Sequence, residues 1–120
     1  KTREKANEVK SVEVIGEVKN KDVIIVDDLI DTGGTIAMAS NVIMDKGAKS
    51  VRAIITHPVL SGNAEENLEN SSLIELVVTD SIPLNIRNKK IKVLSIAGLF
   101  AKAIRKIHEN ESTSSLFINR

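Results

Sequence analysis

The chemistry-bearing residues of this sequence gather in one run, Asp27-Asp28-Leu29-Ile30-Asp31-Thr32-Gly33-Gly34-Thr35. Two adjacent glycines let a backbone approach an anion closely and turn several N–H groups toward it. Thr32 and Thr35 add hydroxyl donors, and the start of a following helix would add its positive dipole end. A phosphate monoester fits such a loop. Asp27 and Asp28 cannot serve the phosphate, because like charges repel. They suit sugar hydroxyls, or the hard cation that accompanies a diphosphate. A plain strand-to-helix turn with a solvated acidic pair would explain Asp-Asp alone. The whole run favours a site for a phosphorylated, hydroxyl-rich ligand and a metal.

The elements that must position this run can be read from the pattern. Val23-Ile24-Ile25-Val26, four β-branched residues in succession, reads as a strand buried on both faces, of the kind found in parallel sheets. The acidic pair then lies at the carboxyl end of a strand, where open α/β sheets bind ligands. From Thr35 to Lys46, Ile36, Ala39, Val42 and Ile43 recur at helical spacing, with Gly47 as the stop. Residues 51–56 form a second strand that runs into His57-Pro58-Val59-Leu60-Ser61-Gly62. A short helix over 63–70, strands over 73–79 and 91–96, and a helix from Ile96 to about Glu109 complete the alternation. The last helix is marked by Phe100, Ala103, Ile104 and Ile107. Residues 1–8 are polar and expected to be mobile, Val9 to Val18 suggests an extended segment, and 110–120 is a tail. This order predicts an α/β domain spanning 1–120, a parallel sheet with helices on both faces and right-handed crossovers.

Composition narrows the function. With 120 residues and a net charge of +1, there is one core and no global case for nucleic acid or an anionic membrane. Phe100 and Phe117 are the only aromatic residues, so base-stacking platforms are essentially excluded. The absence of cysteine excludes disulfides, thiolate metal sites and a cysteine nucleophile. No apolar run reaches membrane-spanning length and no signal-peptide pattern opens the chain, so cytoplasmic residence is the default expectation. The polar start without Met suggests a piece of something longer.

Outside the run, His57 follows a strand at the ligand edge, and a site histidine and a loop histidine ordered by Pro58 are both open readings. Ser61 and Gly62 could touch ligand or shape the turn. Lys89, Lys90 and Lys92 read as solvated charge. His108 reads as a cation near a helix C-terminus.

The run Val23 to Thr35 resembles the phosphoribosyl diphosphate loop of proteins with the type I phosphoribosyltransferase fold. Thr56-His57-Pro58-Val59-Leu60-Ser61-Gly62-Asn63-Ala64, Val78-Thr79-Asp80-Ser81-Ile82-Pro83 and the Ser112-x-Ser114-x-x-Phe117 tail resemble ribose-phosphate pyrophosphokinases. The resemblance covers the whole chain and corresponds to the C-terminal half of such an enzyme. It implies a three-layer sandwich of the phosphoribosyltransferase type. It also implies transfer of the diphosphate of ATP to the anomeric hydroxyl of ribose 5-phosphate, with magnesium.

By the same resemblance, Asp31, Thr32, Gly33, Gly34 and Thr35 would cradle the 5-phosphate. Asp27 and Asp28 would face the ribose hydroxyls and the metal-bound diphosphate. Lys1 and Arg3 match a Lys-x-Arg pair on the family's flexible catalytic loop, so 1–8 would be a remnant of that loop. Glu4 and Lys5 depart from its usual Arg- and Pro-rich composition. Ser112, Ser114 and Phe117 would belong to a regulatory phosphate or nucleotide site between subunits of a homo-oligomer. ATP would bind mainly through an N-terminal half, so this chain alone is expected to turn over negligibly. A nucleobase phosphoribosyltransferase would share the central loop but not the His57 loop or the tail. A non-catalytic regulatory relative is disfavoured by Lys1, Arg3 and the intact acidic pair.

Overall fold

The computed structural model describes residues 2–3, 9–11 and 13–116. Two short strands, β1 (Thr2–Arg3) and β2 (Val9–Ser11), pair antiparallel. The main body follows as β3 (Asp22–Ile30), α1 (Gly34–Asp45), β4 (Ser50–Pro58), α2 (Ala64–Glu69), β5 (Leu73–Thr79), β6 (Ile91–Leu94) and α3 (Ala97–His108). A single 3₁₀ turn, Ser114–Leu116, lies in the tail. No helix among the described residues is long and apolar enough to cross a membrane.

The four longer strands form one parallel sheet in the order β3-β4-β5-β6. Each strand adds to the same side of its predecessor. Right-handed crossovers therefore carry α1 and α2 to one face. There Ile36 and Ile43 of α1 and Ala64 and Leu68 of α2 close over Val51, Ala53, Ile55, Leu76 and Val78 of the sheet, all buried. Ser40, on the same side of α1, is fully buried but satisfied: its hydroxyl donates to Ala37 O at 2.7 Å and accepts from Ser72 N at 3.0 Å. That pair joins α1 to the start of β5 without leaving a buried polar group unpaired, an omission that would cost about 1–3 kcal/mol. Gly47 stops α1 at φ +95°, a conformation that penalises any side chain.

Two expectations change. β3 is not buried on both faces: it is an edge strand, and Ile24 and Val26 are 55% and 76% exposed. The reason is topological. With both crossover helices on one face, the β-branched residues of the other face have no helix above them. On that open side Ile24, Val26, Ile54 and Leu94 stay exposed. The helix α3 shows the stripe read from the sequence, with Phe100, Ile104 and Ile107 in register, yet it buries none of them. The α/β parallel sheet is thus as expected, and helical cover is present on one face among the described residues.

Candidate active site at the carboxyl edge of the sheet

At the carboxyl end of β3 the chain passes Asp27 and Asp28, both exposed, and enters the loop 31–33. Asp28 N–H donates to Asp27 Oδ1 at 2.8 Å, which fixes one carboxylate against its own strand. Gly33 adopts φ +80° and directly precedes α1. Only glycine takes this left-handed turn without penalty.

The loop's shape follows from where its carbonyls go. Ile30 O accepts from Val59 N and Leu60 N at 3.0 and 3.1 Å, and Asp31 O accepts from Ser61 N at 3.0 Å. Thr32 O accepts from Asn67 Nδ2 at 2.8 Å, and Gly33 O accepts from Ala37 N at 2.9 Å. Four consecutive carbonyls are therefore tied back by the β4–α2 loop, by α2 and by the first turn of α1. The N–H groups of Gly34, Thr35 and Ile36 precede the first intrahelical bond of α1. Gly34 N has only a long contact, 3.4 Å, to Thr32 Oγ1. No acidic residue stands in the first turn of α1. A helix start with free donors, no carboxylate in its first turn and the preceding carbonyls turned away binds an anion readily.

Within this loop the residues that the resemblance assigns to a phosphate cradle have different surroundings. Gly33, Gly34, Thr32 and Thr35 share the helix start. The Asp31 carboxylate accepts the Ser61 hydroxyl, and its carbonyl accepts the Ser61 N–H. Its negative charge suits that structural clamp better than contact with a phosphate.

The remaining candidates are placed as follows. His57 is paired with Leu29 across the sheet, and its Nδ1 lies 2.8 Å from Ser81 Oγ, which itself donates to Thr56 O at 3.2 Å. The histidine thus links the ends of β4 and β5. Asp80 accepts Ile96 N–H at 2.8 Å, and the Ser95 hydroxyl, followed by that N–H, holds its carboxyl below the usual range. Lys90 is not solvated charge: its ammonium donates to Leu68 O and Ser71 O at 2.7 and 3.2 Å. The last carbonyls of α2 lack intrahelical donors, and a cation there also meets the negative dipole end. The hydroxyls of Ser112 and Ser114 lie 2.8 Å apart in the exposed tail. Lys1 and Phe117 lie outside the described residues, and Arg3 is described only as part of β1.

Asn67 is the residue that sequence reasoning missed. Its only signal was an amide on a short helix just after the Ser61-Gly62 turn. No group of three or more acidic or histidine side chains that could hold a metal occurs among the described residues. Asp27 and Asp28 offer two hard oxygen donors, the set suited to magnesium, which keeps waters and takes one or two carboxylates plus substrate oxygens.

Comparison with known proteins identifies the family. A family model described as the phosphoribosyl synthetase-associated domain matches residues 2–118. The chain belongs to that family. Ribose-phosphate pyrophosphokinases of Helicobacter hepaticus and Wolinella succinogenes are 56% identical over 117 residues and 54% identical over 118. In both alignments the match covers 98% of this chain and 38% of the relative. The phosphoribosylpyrophosphate synthetase of Mycobacterium smegmatis superposes with a TM-score of 0.80 at 44% identity, over 86% of this chain and 35% of that one. This member of the phosphoribosyl synthetase-associated family thus spans under two-fifths of the length of the relatives it matches.

Proposed function

We propose that this chain is the ribose 5-phosphate-binding, C-terminal part of a ribose-phosphate diphosphokinase. The observation that carries the reading is the tethering of carbonyls 30–33, which leaves the start of α1 as an anion seat beside two exposed carboxylates. The 5-phosphate sits against the N–H groups of Gly34, Thr35 and Ile36, with the Thr32 and Thr35 hydroxyls as further donors. Asp27 and Asp28 accept hydrogen bonds from the ribose hydroxyls, which presents the anomeric oxygen to ATP. That oxygen attacks the β-phosphorus and gives its proton to solvent, the bond from the β-phosphorus to the oxygen bridging it to the α-phosphorus breaks, and AMP leaves with that oxygen. Magnesium held through Asp27 and Asp28 together with substrate oxygens would neutralise charge on the diphosphate. Lys1 and Arg3 supply cations for the same purpose, since diphosphoryl transfer depends chiefly on positioning and charge neutralisation.

The names of the relatives and the His57 loop support a synthetase over a nucleobase phosphoribosyltransferase. The experiment is an assay of the polypeptide at the length of its relatives, with ATP, magnesium and ribose 5-phosphate. Equimolar AMP and phosphoribosyl diphosphate are expected. Pyrophosphate release that requires a nucleobase, with no AMP, would overturn the reading. The 120-residue chain alone is expected to give negligible AMP; robust release from it would show that the ATP side also resides here.

A further inference from the structure

Gly33 and Gly34 make the anion loop approachable and also make it easy to invert. Rotating the Thr32–Gly33 peptide unit would exchange Thr32 O and Gly33 N–H, bringing a carbonyl dipole round toward the anion. Glycine at φ +80° offers little steric resistance to that flip. Something outside the loop must therefore hold the peptide. Of the four tethered carbonyls, three are held by backbone N–H groups and one by a side chain: Asn67 Nδ2, 2.8 Å from Thr32 O. Asn67 is half-buried on α2, and its Cβ lies 3.7 Å from the point where a Cβ on Gly33 would stand. The amide is thus packed directly against the peptide it holds.

We propose that Asn67 is a positioning residue for the 5-phosphate, locking the Thr32–Gly33 peptide with its carbonyl away from the ligand. The inference rests on the phosphate reading of the loop. It assigns a role in ribose 5-phosphate affinity to a residue that touches no substrate.

The test compares Asn67→Ala and Asn67→Asp in the polypeptide at the length of its relatives, with ribose 5-phosphate and ATP varied separately. Asn67→Asp keeps the shape but places an acceptor against Thr32 O, while Asn67→Ala removes the donor without adding charge. Both variants are expected to raise KM for ribose 5-phosphate, by about tenfold for Ala and more for Asp, as loss of a partly buried hydrogen bond implies. KM for ATP stays near wild type, and the melting temperature falls by no more than the few degrees that one lost hydrogen bond costs. An unchanged KM for ribose 5-phosphate in Asn67→Ala would overturn the proposal. So would parallel rises in both KM values with a melting temperature lowered beyond those few degrees, which would mark a merely structural residue. Failure of the wild-type enzyme to use ribose 5-phosphate would instead remove the functional reading itself, and this inference with it.

Discussion

Replacing Asp27 and Asp28 together by asparagine is expected to cut kcat/KM for ribose 5-phosphate by two orders of magnitude or more while leaving the fold intact. In the proposed site each carboxylate would accept a hydroxyl proton as a charged group, and hydrogen bonds to charged groups contribute about 1.5–3 kcal/mol apiece. Two such losses correspond to a factor of roughly 10² to 10⁴. The fold has no comparable stake. Both side chains are exposed, and neither is paired with a cation among the described residues. An amide in place of the Asp27 carboxylate would also retain an oxygen for the Asp28 N–H contact now made at 2.8 Å. Removing two adjacent negative charges from the end of an edge strand even relieves repulsion. Unchanged or slightly raised stability with lost activity is therefore expected. Comparable activity, or collapse of the fold, would contradict the assigned role.

Gly33→Val is expected to fail on both counts. A non-glycine residue in the left-handed region costs about 1–2 kcal/mol, and a β-branched one is a genuine outlier there. At φ +80° the added Cβ alone would be an ordinary neighbour, 3.6 Å from Ile30 Cδ1 and 3.7 Å from Asn67 Cβ. The γ-methyls of valine, however, extend toward those same groups. Relief requires the loop to move, and any movement releases the carbonyls tied to Ser61 N and Asn67 Nδ2. Thermal unfolding should show a lowered midpoint, and KM for ribose 5-phosphate should rise more than about tenfold, the factor that about 1.4 kcal/mol represents. A wild-type KM would show that the left-handed turn is dispensable.

Much of this arrangement was legible beforehand because it is local. Gly47 ended α1, the period of Ile36 and Ile43 gave its inner face, and Leu73 to Thr79 formed the strand their residue types suggested. The reading of Asp27 to Thr35 as a candidate site is equally local, since glycines, hydroxyls and the start of α1 follow one another in sequence order. What escaped was set by topology. Val23 to Val26 has the same composition whether helices cover both faces of its sheet or one, and only the order β3-β4-β5-β6, which sends α1 and α2 to the same face, decides. The stripe of α3 likewise shows a helix without saying what covers it. Asn67 and Ser61 act on residues 35 and 30 positions away in sequence, a coupling that exists only once α2 is folded beside the loop. Asp31 was grouped with the phosphate cradle by resemblance. Its bond to Ser61 gives its charge a different partner.

The most direct measurement is a titration of the ¹⁵N-labelled 120-residue chain with ribose 5-phosphate, followed by amide chemical shifts, with ribose as the control. Progressive shifts at the N–H groups of Gly34, Thr35 and Ile36 that ribose does not produce are expected, at millimolar ligand if binding is weak. Shifts that ignore these three amides, or that ribose reproduces equally, would contradict a 5-phosphate seat at the start of α1.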